Sequence, residues 1–526
     1  MVHFLLLQYE SYEDAIVNRP GIEPNFAGVM LRRAALNPER TALVFEERET
    51  LYGEFADRVR RQAQLLRESG VCVGDRVGFL GFNHPALLET LFAAQTLGAI
   101  FVPLNFRLTA EELTFIINDA GIHSLVVDDA LRPVLEQARE NLCCRHFFAS
   151  ETAAEGWRHL DSERDASDPI AGAVSVDQHD IAVIMYTSGT TGLPKGAMLT
   201  HGNLIWNNIN ASMAFGGTRE NVILTAAPLF HIGGLNVMTL HSFHLGSKLV
   251  LLRNFDPAQV LENFERYRVT HMFGAPAMYL FMSQQPQFAE TDLSSVETLI
   301  CGAAPVPESL IELYGTRGVS FCQGYGLTET APFSAFLTPE FAVSKLGSAG
   351  QPPIYSDTRI VDPDNQPLPA GEKGEICLAG PNIMKGYWNR PDATASAIDS
   401  EGWFHSGDIG YLDEDGFLFI CDRLKDMVIS GGENVYPAEV EGVLYKHDAI
   451  AEVAVIGLPD EKWGEAVTAV VALNEGCTLT LEELREFADP HLARYKLPLR
   501  LEIVDALPRN PAGKVLKFVL KEDIAG

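Results

Sequence analysis

An apolar run at residues 181–185 leads directly into Tyr186-Thr187-Ser188-Gly189-Thr190-Thr191-Gly192-Leu193-Pro194-Lys195-Gly196, and this segment restricts the choice of fold more than any other. Three glycines let backbone N–H groups approach a polyphosphate, four hydroxyl side chains can donate to its oxygens, and Lys195 adds a mobile positive charge. A Walker A loop needs Gly-Lys-Ser/Thr in succession, whereas Lys195 is followed here by Gly196, which argues against a P-loop kinase. A plain Ser/Gly surface turn would explain any three of these residues but not the whole run.

The chain around the loop has the rhythm of a parallel α/β sheet. Short Val/Leu/Ile runs at 41–45, 77–80 and 124–127 alternate with helical patterns such as Phe55, Val59, Gln62 and Leu66. Thr109 and Glu112 predict a capping box, with Gly121 at that helix's end. A polar stretch near 151–180 reads as a connection. The rhythm then resumes at 181–185, 222–226, 248–252, 270–273 and 298–301, with Asp256-Pro257 as N-cap and first-turn proline. After about residue 344, Gly/Pro-punctuated strands (347–350, 362–371, 374–379) predict a twisted β subdomain. A smaller α+β piece follows, with strands at 451–456 and 466–473 and a helix near 481–489. The fold class is therefore α/β: a large N-terminal body (1–424) of two βα subdomains plus a β subdomain, and a small C-terminal α+β domain (425–526).

Composition sets the partners. Seventy acidic against forty basic side chains leave a formal charge of −30, which disfavours nucleic acid and anionic lipid surfaces, so any phosphate must be held by a local site. The eight cysteines are scattered, with no CxxC pair and no His cluster at metal-ligand spacing, so neither a disulfide framework nor a zinc site is expected and a reducing cytosol fits best. The apolar run 2–7 is too short for a signal sequence. Residues 85–102 are interrupted by Glu89 and Gln95 and fall short of a bilayer span, reading instead as a buried helix feeding a strand.

Further polar motifs follow the loop. Gly324-Tyr325-Gly326-Leu327-Thr328-Glu329-Thr330 places a carboxylate near a phosphate site, which makes chemical sense if a cation lies between them, so Glu329 is a candidate Mg²⁺ ligand. Gly302-Ala303-Ala304-Pro305 offers small residues for close approach to a flat base. Gly402-Trp403-Phe404-His405-Ser406-Gly407-Asp408 supplies a carboxylate whose two acceptors match the two hydroxyls of a ribose, and Arg423 follows. Pro508-Arg509-Asn510-Pro511-Ala512-Gly513-Lys514 ends in a lysine on a Pro/Gly-bounded loop. Taken singly, Tyr325 reads equally as a core aromatic, Asp408 as a turn former and Lys514 as a solvated tail residue.

Together, and in this order, these motifs resemble the adenylate-forming superfamily of acyl- and aryl-CoA synthetases, luciferases and peptide-synthetase adenylation domains. The resemblance implies an ATP-dependent acid–CoA ligase: an acid and ATP give acyl-AMP and pyrophosphate, and acyl-AMP and coenzyme A then give acyl-CoA and AMP. It assigns ATP contacts to Thr187–Gly192, Lys195, Gly302, Ala303, Ala304, Tyr325 (on adenine), Gly326, Thr328 (at the α-phosphate), Asp408 and Arg423. Lys514 would neutralise charge at the α-phosphate and acyl oxygen. Lys425 matches the hinge about which the small domain turns, since adenylation needs Lys514 at the phosphate while thioester formation needs that space for the thiol. Gly431 and Gly432 would then line the pantetheine channel, unless they form an ordinary tight turn.

The acyl pocket is expected at Phe230, His231, Gly233, Gly234, Met278, Gly302, Gln323 and Gly324. His231 stands where amino-acid-activating relatives carry Asp, and Gly324 where malonate-activating relatives carry Arg, so neither substrate fits. His231 is expected either to gate the pocket catalytically or to be a satisfied core histidine. The wording of 425–437 resembles bacterial fatty-acyl-CoA synthetases, which points to a medium- or long-chain acid; the alternatives are an aryl acid, or a stand-alone enzyme loading a carrier protein in trans. A homodimer is a further arrangement open to the chain.

Overall fold

The computed structural model describes residues 25–187, 194–303, 306–423, 426–430, 433–460, 462–509 and 515–525. The chain forms two compact units, one taking in residues up to Thr358 together with Leu378–Phe404, the other Arg359–Cys377 and the chain from His405 onward.

The first unit is built on two eight-stranded sheets. In one, Ile181–Thr187, Ile100–Leu104, Arg76–Leu80, Ile122–Val127, His146–Ala149 and Arg158–His159 lie side by side in that order, with Lys195–Thr200 antiparallel on Ile181–Thr187 and Gly386–Tyr387 outside it. In the other, Phe321–Gly326, Thr298–Gly302, His271–Gly274, Val222–Thr225, Lys248–Leu251 and Thr41–Phe45 run parallel, and the antiparallel strands Phe333–Leu337 and Arg48–Leu51 close the edges. Parallel strands covered on both faces are apolar throughout, which is why these segments read as unbroken Val/Ile/Leu runs.

The helices follow the sequence signals closely. Thr109 and Glu112 form the reciprocal capping box, Gly121 closes that helix at φ 64°, and Asp256 caps Pro257–Tyr267. Residues 85–102 are indeed a buried helix, Pro85–Thr96, feeding the strand Ile100–Leu104. The charge that interrupts this stretch has partners: Glu89, 1% exposed, accepts from Arg58 Nε at 2.6 Å and from the buried Arg164 at 3.2 Å. Phe26, Phe55 and Phe92 from three helices pack together, and Phe243 lies 5.0 Å, ring to ring, from both Phe55 and Phe92.

The second unit carries the four-stranded sheet Asp357–Val361, Gly374–Ala379, Phe404–Leu412, Leu418–Arg423, and the ends of three of these strands (Asp357–Thr358, Leu378–Ala379 and Phe404) belong to the first unit's share of the chain. It also carries a five-stranded sheet in which Ile450–Asp460 and Gly464–Leu473 form a long hairpin, covered by Pro437–Leu444, Leu481–Ala488 and Lys517–Ala525. This is the α/β architecture with an added β subdomain and a C-terminal α+β piece. Two expected strands differ. Residues 347–350 form no strand, and only an isolated bridge from Gln351 to Phe336 follows them, because Gly347 and Gly350 both sit at positive φ and break the extended run. Residues 362–371 form the turn after Asp357–Val361, with Asp362 Oδ1 accepting from the N–H groups of Asp364 and Gln366. The connection at 151–180 holds the short helix Leu160–Ala166, which delivers Arg164 to Glu89.

Candidate active site

The phosphate loop is closed by a hairpin: Thr187 pairs with Lys195 and Tyr186 with Gly196, leaving Ser188, Gly189, Thr190, Thr191 and Gly192 outside the described residues. The base of the hairpin is anchored. Tyr186 donates its hydroxyl to Asp119 Oδ2 at 2.7 Å, and burial together with that carboxylate pushes the phenol's pKa upward. Asp119 also takes Arg390 at 2.9 Å, and its carbonyl accepts from Trp388 Nε1 at 3.0 Å. Gly196 must lack a side chain, since a Cβ would lie 2.6 Å from Ile184 and 3.1 Å from the Tyr186 ring.

Lys195 and Glu329, 134 positions apart in sequence, meet through a residue that carried no sequence signal. The ammonium of Lys195 stands 5.4 Å from the centre of the Tyr387 ring, and the Tyr387 hydroxyl donates to Glu329 Oε1 at 2.7 Å. Burial, then the Glu329 charge, raises the Tyr387 pKa, so this hydroxyl stays protonated and remains a donor. Tyr387 is delivered by pairing with Ala197, and the Glu329 carbonyl accepts the Met384 N–H at 2.8 Å. Glu329 Oε2 has no hydrogen-bond partner among the described residues.

The turn carrying Thr328 and Glu329 is held from below by buried asparagines. Asn382 donates to the carbonyls of Thr330 and Phe333, both at 2.7 Å; Asn236 donates to the Ala331 carbonyl at 2.6 Å; and Asn207 accepts the Phe333 N–H at 3.0 Å. Gly326 has no alternative, because a Cβ there would come within 1.6 Å of the Pro332 carbonyl oxygen. Tyr325, beside it, is half-buried at the end of Phe321–Gly326.

The His231 side chain is solvent-accessible, and desolvation by the protein around it lowers its pKa, so it is neutral near pH 7. Nδ1 accepts the Gly233 N–H at 3.2 Å, which places the ring proton on Nε2. Phe273, absent from the expected pocket residues, lies against two of the expected glycines: a Cβ on Gly233 would lie 2.7 Å from the Phe273 ring and one on Gly302 3.4 Å from it. Gly302 is further restricted by the Gly324 carbonyl at 2.8 Å, and Gly234 by the Pro228 carbonyl at 2.1 Å. Ala303 is exposed at φ 70°, and Ala304 lies outside the described residues. Phe230 packs edge-on against Phe106 at 5.2 Å, with Arg107 over both rings. Strand alternation puts Gln323 on the face of Phe321 and Cys301, towards the core that Met278 joins, while Gly324 and Gly302 occupy the opposite face with Phe273.

In the second unit Asp408 is buried at 4% exposure, its N–H donating to Ser406 Oγ at 3.1 Å, and its strand position pairs with Arg423. Asp422 instead caps the helix Pro437–Leu444, accepting the Ala438 N–H at 2.7 Å. The Arg423 side chain, Lys425, Gly431, Gly432 and Lys514 lie outside the described residues. The Lys514 loop is bracketed by the bridge Arg509–Val515, and Arg509 pairs with Glu452 at 2.6 Å.

Residues 30–388 match the model of the AMP-binding enzyme family, and residues 439–514 that of the AMP-binding enzyme C-terminal domain. The chain belongs to the AMP-binding enzyme family. It is an acid–CoA ligase of the adenylate-forming superfamily, with ATP and coenzyme A as co-substrates. The ligase is 45% identical to the feruloyl-CoA synthase of an Amycolatopsis species, over 93% of its own length and 96% of the relative's. It is 36% identical to the long-chain-fatty-acid–CoA ligase FadD13 of Mycobacterium tuberculosis, with 95% and 98% covered. Among solved structures it resembles the o-succinylbenzoate CoA synthetase of Bacillus subtilis in complex with its acyl-adenylate intermediate, at a TM-score of 0.85 and 34% identity, covering 95% of this chain and 98% of that one. Among the described residues, no helix is long and apolar enough to cross a membrane.

Proposed function

We propose that this ligase activates an aromatic acid of the hydroxycinnamate type, in preference to the alkyl chain that the wording of 425–437 suggests. The observation that carries the reading is Phe273: its aromatic ring lies against Gly233, where a Cβ would come within 2.7 Å of it, and in contact distance of Gly302, so a flat ring and glycines border the position of His231. The 45% identity to a feruloyl-CoA synthase, against 36% to a fatty-acid ligase, supports the same choice.

In the first step a carboxylate oxygen of the acid attacks the α-phosphorus of ATP, the bond to the β-phosphate oxygen breaks, and pyrophosphate leaves. Neutral His231, with its proton on Nε2, is a donor suited to a carboxylate oxygen. Lys195 and the loop it closes hold phosphate charge, Asp408 takes the ribose, and Lys514 offsets the charge that develops at the α-phosphorus. Glu329 fits a magnesium ion: it is an oxygen ligand with Oε1 fixed by Tyr387 and Oε2 without a described partner, as expected where substrate phosphates complete the shell. Magnesium bound there would supply charge neutralisation at the phosphate oxygens. In the second step the sulfur of coenzyme A attacks the acyl carbonyl carbon, the C–O bond to phosphate breaks, AMP leaves, and the thiol proton passes to solvent. The small domain, hinged at Lys425, withdraws Lys514 and brings Gly431 and Gly432 to the thiol. Free cysteines throughout the described chain, with ATP and coenzyme A as substrates, support a reducing cytosol as its compartment.

The test is acyl-CoA formation from ferulate, cinnamate, octanoate and palmitate, with coenzyme A or a carrier protein as acceptor. The expected result is a kcat/KM for ferulate at least about tenfold above either fatty acid, with coenzyme A as acceptor. Preference for octanoate or palmitate would overturn the aryl assignment while leaving the ligase class intact.

A further inference from the structure

In the second unit three metal-ligating side chains converge. Glu375 and Cys377 lie two residues apart on Gly374–Ala379 and so share one face, and His405 stands on the neighbouring strand Phe404–Leu412. His405 Nδ1 is 2.8 Å from Glu375 Oε2 and 3.5 Å from Cys377 Sγ, and the three ligand atoms all fall within 4.8 Å of one another. We propose that Glu375, Cys377 and His405 bind a zinc ion through carboxylate, thiolate and imidazole, with water as the fourth ligand.

The separations suit the metal. Zinc bonds of about 2.3 Å to sulfur and about 2.0–2.1 Å to nitrogen at a tetrahedral angle put those two atoms about 3.6 Å apart, close to the spacing already present. The carboxylate must withdraw from the ring by about half an ångström to reach its own tetrahedral place, a shift within one side-chain rotamer. The ligands stand on two paired strands rather than on loops, so their Cα positions are set before a metal arrives. Outer support is also in place: Glu375 Oε1 accepts the Gly407 N–H at 3.1 Å, orienting the carboxylate through the oxygen that the metal does not need. Cys377 is fully buried, whereas the Glu375 and His405 side chains are 21% and 20% exposed, which leaves a path for the ion from solvent. A chain of net charge −30 also raises the local concentration of divalent cations. The soft thiolate selects zinc, or cobalt and cadmium as its mimics, over magnesium.

The site touches the known reaction at one point. Gly407, which Glu375 holds, precedes Asp408, so, on the proposed ribose role of Asp408, zinc would fasten the turn that presents that carboxylate.

The full chain, stripped with a chelator, incubated with zinc and gel-filtered, is expected to retain one zinc per chain. Cobalt in its place should give a thiolate charge-transfer band in the near ultraviolet and the intense visible bands of a tetrahedral centre. Cys377→Ser should abolish the charge-transfer band and lose the retained zinc. His405→Gln, whose side chain is partly exposed and less exposed to folding failure, should also lose the zinc. A Cys143→Ser/Cys144→Ser double variant should behave as wild type. Wild-type protein that retains no zinc, a cobalt complex without the thiolate band, or retention that survives both Cys377→Ser and His405→Gln would each overturn the assignment.

Discussion

Single residues decide whether the phosphate site is charged and oriented, and Tyr387 is the clearest case. Its hydroxyl fixes one oxygen of Glu329 while its ring faces the Lys195 ammonium, so a neutral side chain couples the two charges. Tyr387→Phe keeps the ring and removes the donor. A hydrogen bond to a charged partner is worth about 1.5–3 kcal/mol, so the variant should lose about ten- to a hundredfold in kcat/KM for MgATP with little change in melting temperature, measured by pyrophosphate release. An unchanged kcat/KM would show that Glu329 needs no help from Tyr387. Lys514→Ala should remove a donor worth about 3–4 kcal/mol, slowing acyl-AMP formation by about 10²–10³-fold while sparing transfer from supplied acyl-AMP to coenzyme A. Equal loss in both half-reactions would contradict its role. Glu329 and Lys195 were legible in the sequence because charge beside glycine is uncommon in a core. Tyr387, Phe273 and Asn382 were not, since an aromatic or an asparagine between strands has no local pattern and gains its meaning only from what the sheet brings beside it.

At the scale of elements, the sequence was most informative where local chemistry and tertiary position agree. Thr109, Asp256 and Gly121 mark helix ends because the capping bonds form within a few residues, and the buried parallel strands declared themselves through continuous apolar runs. Residues 347–350 and 362–371 were misread because glycine and proline punctuate turns as readily as strand ends. Glu89 shows the opposite limit. From the sequence it was an interruption in an apolar helix, but it joins three elements by pairing with Arg58 and Arg164. Removing one partner of a buried ion pair leaves the other uncompensated, at about 3–5 kcal/mol. Arg164 keeps Asp161 and Asp165, so Glu89→Leu should cost towards the lower end of that range. Denaturant unfolding should show a lowered midpoint with an unchanged slope, and a midpoint equal to wild type would mean that the remaining acids suffice.

At the scale of the molecule, the first unit stores a dependence on pH that no local motif reveals. His201, His241 and His244 are all held in the neutral form by burial, with pKa values lowered to about 4, 3 and 4. Two of the rings are held by hydrogen bonds: His201 Nδ1 accepts the Phe26 N–H at 3.2 Å, and His241 Nε2 is 2.9 Å from Ser212 Oγ, while Nδ1 of His241 and of His244 is buried without a partner among the described residues. In the unfolded chain each titrates near about 6.5. The folded state therefore refuses protons that the unfolded state accepts. The stability these groups contribute is fully present above about pH 6.5 and falls as the pH drops towards 4. Each proton taken up only on unfolding is worth about 1.4 kcal/mol per pH unit, so three together steepen the loss by up to about 4 kcal/mol per unit through that window. Thermal unfolding followed from pH 7.5 to 5 should show a melting temperature that is flat at first and then falls below about pH 6.5. A His201→Gln variant, whose amide oxygen can still accept from Phe26, should fall less steeply. If wild type and variant lose stability in parallel over that range, proton uptake at His201 is not part of the cause, and the acid sensitivity must come from the other buried histidines or from carboxylates.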